Sequence, residues 1–349
     1  MVITYIQKIV SGKDLSEDEA FQCMGEMISG NASDIHIAAL LAALATKGET
    51  VDEITGFAKA MRGTCTPLNV SKDVELVDTC GTGGDTLKTF NVSTAAAVIA
   101  SSAGVNVAKH GNRAVTSSCG GADILEAAGV KIDASPEIVS KCLEESAMGF
   151  MFAPNFHPAT RNVMPVRHAL GIRTVFNILG PLTSPAGAKI QLLGVFDANY
   201  VQIMANVLNN LGVEQAMVVH GFDEKEEEGM DEISNVGPTL VAFVDQGSIE
   251  IKKLNPEDFG IQKTKSDLIK APETLEENLE IFLDVLNAKN DSIVDKARLE
   301  IALANAGAII YLSGKSNNLI EGTEIAYQAV KSGKSIEKLR EFIKISKLA

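Results

Sequence analysis

No stretch of this chain approaches the ~20 consecutive apolar residues that a membrane span needs. Its start, MVITYIQKIVSGKDLSEDEAF, has neither the basic opening nor the long apolar core of a secretory signal. Cysteine is sparse: Cys23, Cys65, Cys80, Cys119 and Cys142 are scattered, odd in number and without a CxxC pair. That argues against a disulfide framework or a cysteine zinc site and for a reducing compartment. Positive charge is also short, since Lys+Arg 31 against Asp+Glu 45 leaves a net −14. Broad attraction to nucleic acid or to an anionic membrane is therefore not expected, and a bound anion must be held by a local cluster of cations and backbone amides. Internal repeats and low-complexity segments are lacking. The composition that remains, 46% hydrophobic and 22% charged over 349 residues, is that of a globular chain with a real core, and at ~150 residues per domain it suggests two domains. A cytoplasmic protein is expected.

The first ~65 residues read as amphipathic helices. Ser16 followed by Glu19 is a capping-box pattern, and Gly30 closes the segment it opens. Asn31 or Ser33 caps the next helix, where Ile35, Ala38, Ala39, Ala42 and Ala43 recur at helical spacing up to Gly48. Thr50 and Glu53 form a second capping box, opening a helix toward Gly63. Beyond Pro67 the texture changes to short β-branched runs alternating with helical patterns. Strands are expected at 74–78, 105–108, 149–153, 191–196, 216–221 and 239–244, and helices near 93–102, 121–128, 135–146, 158–170, 199–211 and through much of 293–347. Such alternation predicts an α/β domain.

Four segments carry candidate chemistry. In DTCGTGGDTLKTFNVSTAAA, Gly81, Gly83 and Gly84 lie between a strand and a helix that begins near Ser93 and Thr94, so backbone amides and the positive end of the helix can meet a phosphate. It is neither a Walker loop nor GxGxxG, and a purely structural turn is the competing reading. In AKHGNRAVTSSCGG, Lys109, His110, Asn112 and Arg113 crowd the end of a strand and are followed by Thr116, Ser117 and Ser118, a composition suited to a phosphate or diphosphate. An ordinary solvated loop is the alternative. In FAPNFHPATRNVMPVRHALGIRTVFNILGPLTSP, Arg161, Arg167, His168 and Arg173 accompany Phe156, His157, Met164 and Pro181. One arginine with apolar walls suits an aromatic acid, although helical arginines more often face solvent. In HGFDEKEEEGMDE, Asp231 and Glu232 are natural Mg²⁺ ligands or, alternatively, surface charges, and Asp223 to Glu228 reads as a solvated loop.

Together and in this order, GTGGD (81–85), TFNVST (89–94), KHGNRAV (109–115), MPVRHALGIRTVFNILGPLTSP and the MDE of 230–232 resemble the anthranilate phosphoribosyltransferase family through nearly the whole chain. The resemblance implies an α/β fold of the nucleoside phosphorylase/phosphoribosyltransferase type, with a larger α/β domain built on a central mixed sheet. Residues 1–66 would form a small N-terminal helical domain, joined by helices from about 158–185, and 67–349 the phosphoribosyl-diphosphate-binding domain. It implies joining of anthranilate to phosphoribosyl diphosphate with Mg²⁺, and a homodimer formed through the helical domain. Phosphoribosyl diphosphate would be held by Gly81, Gly84, Asp85, Thr89, Asn91, Val92, Ser93, Thr94, Lys109, His110, Gly111, Asn112, Arg113, Ala114, Val115, Thr116, Ser117 and Cys119. Anthranilate would meet Gly81, Asn112 and Arg167, with His110, His157 and Pro181 along its entry path, and the metal would meet Ser93, Asp231 and Glu232. Lys109, Asp231 and Glu232 would act electrostatically and by position, with no certain acid or base. Ser118, Cys119, Gly120 and Gly121 depart from the family's usual Lys-Ser-Gly-Ser, losing a cation and hydroxyls. The competing readings are a pyrimidine nucleoside phosphorylase-like enzyme and a non-catalytic relative that binds nucleic acid.

Overall fold

The computed structural model describes residues 2–71, 74–114 and 119–348. Local capping sets the first four helices, α1 (Val2–Val10), α2 (Glu17–Ile28), α3 (Asp34–Lys47) and α4 (Val51–Arg62). Both expected capping boxes form, Ser16 with Glu19 and Thr50 with Glu53, and Ser33 rather than Asn31 caps α3. Where α4 crosses α2, a Cβ at Gly56 would collide with Glu17 and Ala20, so these helices touch backbone to backbone. Glu53 is fully buried and accepts from Leu15 N at 2.9 Å, Thr50 N at 2.8 Å and Lys47 Nζ at 3.0 Å, tying the α1–α2 link to the α3–α4 turn.

The strands are β1 (Leu76–Gly81), β2 (Asn106–Gly111), β3 (Met148–Phe152), β4 (Ile190–Gly194), β5 (Gln215–Phe222), β6 (Gly229–Met230), β7 (Thr239–Asp245) and β8 (Ser248–Leu254). They form one sheet in the order β3-β2-β1-β4-β5-β7-β8, with β6 beside β5. β3 through β5 in that order are parallel, while β5, β7 and β8 pair antiparallel, so the sheet is mixed as expected. The remaining helices are α5 (Val92–Ser102), α6 (Gly121–Ala127), α7 (Pro136–Ser146), α8 (Ala153–Phe156), α9 (Met164–Leu170), α10 (Phe176–Leu179), α11 (Asn199–Asn210), α12 (Leu275–Leu286), α13 (Ile293–Leu312), α14 (Leu319–Lys331) and α15 (Lys334–Ser346).

One face of the sheet is covered by α5 and α13, which share a core of Val98, Ile99, Ile301, Ile309, Val107 and Leu192. On the other face α11 and the four N-terminal helices build a second core, in which Ile37, Leu40 and Phe57 join Val163, Phe176 and Leu179. The segment 158–182 packs on α2, α3 and α4.

Three sequence expectations are corrected. The strand expected at 74–78 begins at Leu76 and runs to Gly81, because Thr79–Gly81 pair with β4. The helix expected over 158–170 is broken into a 3-10 turn, Pro158–Asn162, and α9, since Pro158 and Pro165 each fit only a first turn. Helices fill much of 293–347 as expected, with breaks at Gly314 and Gly333, whose φ of +70° and +81° no other residue adopts easily. The edge strand β8 and α12 are additional to the expected elements. β8 exposes Glu250, Lys252 and Lys253, which interrupt the apolar alternation. Among the described residues no helix is long and apolar enough to cross a membrane.

Replacing Glu53 by Ala strands two N–H groups and Lys47 at the base of α4. The expected cost is about 3 kcal/mol of unfolding free energy, as for a buried ion pair that loses one partner, read as a lowered urea midpoint.

Candidate active site

Strand order reverses between β1 and β4, the position where an open α/β sheet leaves a crevice at the carboxyl ends of its strands. There Gly81 pairs with Gly194. A Cβ on Gly81 would collide with the Asp231 carboxylate, and one on Gly194 with the Asp231 carbonyl. The absence of two side chains thus lets the Asp231 backbone rest on the sheet. Gly83 and Gly84 continue the turn with φ of +67° and +77°. Gly83 N donates to Asp231 Oδ2 at 2.8 Å. Arg173 donates to Gly84 O while its guanidinium stacks 4.3 Å from the Phe196 ring, and Phe196 N donates to Thr82 Oγ1 at 3.0 Å.

β2 brings Lys109, only 3% exposed, to the same place. Its Nζ donates to Thr79 O at 2.9 Å and to Ser93 Oγ at 3.2 Å. Ser93 N, at the start of α5, donates to Glu232 Oε1 at 3.0 Å, so the helix start expected to face a phosphate meets a carboxylate of its own chain. Burial raises the pKa of Glu232 well above the carboxylate range, with Asp231 adding to the rise. Burial likewise raises Asp231, against the pull of the Gly83 amide and Lys109. Asp85 is raised by burial and then by Asp231. Negative charge here exceeds the positive charge that Lys109 supplies.

Among the described residues no three His, Cys, Asp or Glu groups close into a metal cage. Mg²⁺ does not require one: it takes a pair of carboxylates and completes its shell with water and substrate phosphates. Asp231, Glu232 and the Ser93 hydroxyl are hard oxygen donors in a buried, cation-poor place, and they fit that ion.

A second group lies beside the first. Asp78, 1% exposed, accepts from His110 N at 3.3 Å and from Gln191 Nε2 at 3.4 Å. Burial pushes its carboxyl up to about 6, with Lys109 opposing. His110 Nδ1 bonds Gly180 O at 3.2 Å, which makes Nδ1 the protonated nitrogen, and the His110 and His157 rings lie 5.1 Å apart. Both Nε2 atoms are buried and have no partner among the described residues. Burial pushes the imidazoles down to about 3 and about 4, so both are neutral near pH 7. Pro181 is buried, and its carbonyl accepts from Gln191 Nε2 at 2.7 Å. Arg167 is half-buried with its guanidinium 4.9 Å from the Phe176 ring and Nη1 3.3 Å from Met164 Sδ. Burial lowers its pKa, and among the described residues no carboxylate pairs with it.

Other candidates are placed less directly. Thr89 bridges to Lys270, and Val92 and Thr94 are buried in α5. Asn91 Nδ2 donates to Cys119 O at 3.2 Å while its buried Oδ1 has no partner among the described residues. Gly111 lies against the Phe150 ring. Asn112 O accepts from Ala122 N at 3.2 Å, and its side chain accepts from Arg113 N at 2.8 Å. Arg113 is engaged by Glu126 at 2.6 and 2.9 Å and by Asp123 at 3.1 Å, rather than standing free for an anion. Ala114 N donates to Asp123 Oδ2 at 2.9 Å. The Cys119 thiol is buried and pushed up to about 12, which leaves it unreactive. Val115, Thr116, Ser117 and Ser118 lie outside the described residues. The 224–228 stretch is exposed as expected, but Asp223 is buried and accepts from Lys225 N and Glu227 N at 3.2 and 2.8 Å.

Sequence reasoning passed over Asp78 and Gly194. Each leaves a signal: an acid within a β-branched run, and a glycine inside a strand, which marks close backbone approach.

A model of the glycosyl transferase family, helical bundle domain, matches residues 3–65, and one of the glycosyl transferase family, a/b domain, matches 73–336. The anthranilate phosphoribosyltransferase of Methanothermobacter thermautotrophicus is 56% identical over 97% of this chain and 96% of its own length. That of Persephonella marina is 46% identical over 99% of each. Among solved structures, the Thermus thermophilus enzyme superimposes with a TM-score of 0.89 at 39% identity, covering 98% of this chain and 99% of that one. The Saccharomyces cerevisiae enzyme in complex with PRPP and Mg has a TM-score of 0.88 at 26% identity, covering 99% and 97%.

The histidine pair gives a direct check. Their folded pKa values lie below the unfolded value near 6.5, so the unfolded chain takes up protons first as pH falls. The stability they confer is complete above pH 6.5 and is lost as pH drops toward 4. Nitrogen-detected NMR is expected to show the His110 and His157 rings still neutral at pH 5.5, with His110 protonated on Nδ1.

Proposed function

The chain belongs to the anthranilate phosphoribosyltransferase family, and we infer that it transfers the phosphoribosyl group of 5-phosphoribosyl 1-diphosphate to the amine of anthranilate, releasing pyrophosphate, in tryptophan biosynthesis. One observation carries the reading: Lys109 and the Asp231–Glu232 pair converge at the β1–β4 crevice, where Gly81 and Gly194 leave room for them. This is the placement that a sugar bearing a diphosphate and a phosphate, together with a divalent cation, requires.

An aromatic amine is neutral near pH 7, so its nitrogen is already nucleophilic and no strong base is needed. The barrier lies in breaking the C1′–O bond, which leaves positive charge on the ribose and negative charge on the diphosphate. Lys109 has three N–H donors, of which Thr79 O and Ser93 Oγ take two. The third remains for the diphosphate, and because the ammonium is fixed beforehand no reorganisation accompanies the charge that develops. Ser93, Asp231 and Glu232 are the residues that hold Mg²⁺, which when bound neutralises the leaving diphosphate. The Gly81–Asp85 turn, Thr89, Asn91–Thr94, the segment from Lys109 to Asn112, Ala114 and Cys119 complete the phosphoribosyl diphosphate site, with Arg113 turned to Glu126 and Asp123.

Arg167 takes the anthranilate carboxylate. Its guanidinium is half-desolvated over Phe176 with no acidic partner among the described residues, and a planar carboxylate supplies one in bidentate form. Gly81 and Asn112 line the inner side of this pocket, and the neutral His110 and His157 with Pro181 form its entry. Neutral imidazoles neither repel the arriving ring nor protonate its amine. Clamping amine and sugar in line supplies the remaining acceleration by position.

We assign residues 1–66, with the packed segment 158–185, to a helical domain that also forms a homodimer. Ile3, Val10, Phe21 and Ile35, exposed on α1, α2 and α3, support that surface. No disulfide joins any of the five cysteines, which fits a reducing cytoplasm.

The reaction is tested by following loss of anthranilate fluorescence with phosphoribosyl diphosphate and Mg²⁺. Replacing Asp231 by Asn together with Glu232 by Gln is expected to lower kcat by about 10²–10³-fold and to change the Mg²⁺ dependence. Arg167→Ala is expected to raise KM for anthranilate ~10–100-fold, the worth of a charged hydrogen bond, with little change in KM for phosphoribosyl diphosphate. An equal rise in both would remove Arg167 from the aromatic pocket.

A further inference from the structure

The loop carrying Asp231 and Glu232 is fastened to α13 by one side chain. Asn305, fully buried, accepts from Ile233 N at 3.0 Å through Oδ1 and donates from Nδ2 to Ile233 O at 3.1 Å. Its Nδ2 also donates to Ile301 O at 2.9 Å. Both N–H donors and the carbonyl of the amide are therefore used, and both backbone groups of the residue after Glu232 are gripped as a neighbouring strand would grip them. An asparagine is a poor choice for the interior of a buried helix, both in helix propensity and in the desolvation of its amide. An apolar residue would fill the same place in the core without either cost, so packing does not explain its presence.

The other end of the acidic pair is fixed as well. The Asp231 carbonyl rests on Gly194, and the Glu232 carbonyl lies so close to Gly221 that a Cβ there would meet it. Further along, Asn235 Nδ2 donates to Ala297 O at 2.8 Å and anchors the loop to the start of α13. Two adjacent carboxylates repel each other, and a loose loop would rotate them apart. The Ile233 peptide is the point at which such a rotation is blocked.

We propose that Asn305 is a positioning residue: by gripping the Ile233 peptide it holds the Asp231 and Glu232 carboxylates at the spacing that binds Mg²⁺. The proposal rests on the reading of these carboxylates as the metal ligands. Partners one step removed from a metal are typically worth 10–100-fold in its affinity.

The test uses the whole enzyme without substrates and titrates it with Mn²⁺, followed by electron paramagnetic resonance, alongside steady-state kinetics in Mg²⁺. Asn305→Ala is expected to weaken Mn²⁺ binding about tenfold and to raise the Mg²⁺ concentration for half-maximal velocity in parallel, with KM for anthranilate unchanged. Asn305→Ser, whose shorter side chain can bond Ile301 O but does not span to Ile233, is expected to weaken Mn²⁺ binding as the Ala variant does, and it carries the test alone if the Ala variant does not fold. Ala308→Gly, on the same buried helix, gauges mere destabilisation: it is expected to lower the melting temperature and leave Mn²⁺ binding intact. Parental Mn²⁺ binding in the Asn305 variants, or equal weakening by Ala308→Gly, overturns the role of Asn305 while the carboxylate assignment stands. Parental Mn²⁺ binding in the Asp231→Asn, Glu232→Gln double variant overturns that assignment and the proposal with it.

Discussion

The site depends on a close approach of backbone to backbone. Gly81 and Gly194 face each other across the central pair of parallel strands, and the loop after β6 lies directly on them. Any side chain at either position would lift that loop off the sheet. With the loop seated, Asp231 meets the Gly83 amide, and Glu232 meets the start of α5. The rest of the fold serves this seating: α5 and α13 press the sheet from one side, and the N-terminal helices with α11 press it from the other.

That arrangement is electrostatically unfavourable by itself. Asp78, Asp231 and Glu232 are all raised by burial, and Lys109 is the nearby cation that draws each of them down. A stable empty core would avoid such a cluster. Its survival in a chain of net −14 accords with the role proposed for this place, holding a cation and an anion together.

Much of this is legible in the sequence, and the limits are physical. The helices of the N-terminal module follow from caps and spacing, which are local, so Ser16, Ser33 and Thr50 can be read directly. The Gly81–Asp85 turn and Lys109 stand out by composition, whereas the Asp231–Glu232 pair reads as readily as surface charge until the family resemblance singles it out. What spacing cannot convey is which partner a charge meets across the fold. Arg113 looks like a phosphate ligand in KHGNR, yet Glu126, one helix further on, holds it. Asp78 looks like the polar end of a strand and is instead buried, because β1 continues to Gly81 once β4 pairs with it. β8 stays hidden because its lysines and glutamate obscure the two-residue period, and α13 gives no sign from spacing alone that Asn305 reaches a loop over seventy positions earlier.

The charged outer strand β8 has a consequence for how copies of this molecule meet. A sheet margin normally invites another chain to extend it, but Glu250, Lys252 and Lys253 project there, and an incoming strand would have to strip them of water. Sheet-to-sheet polymerisation is thereby discouraged at the rim where the ladder stops.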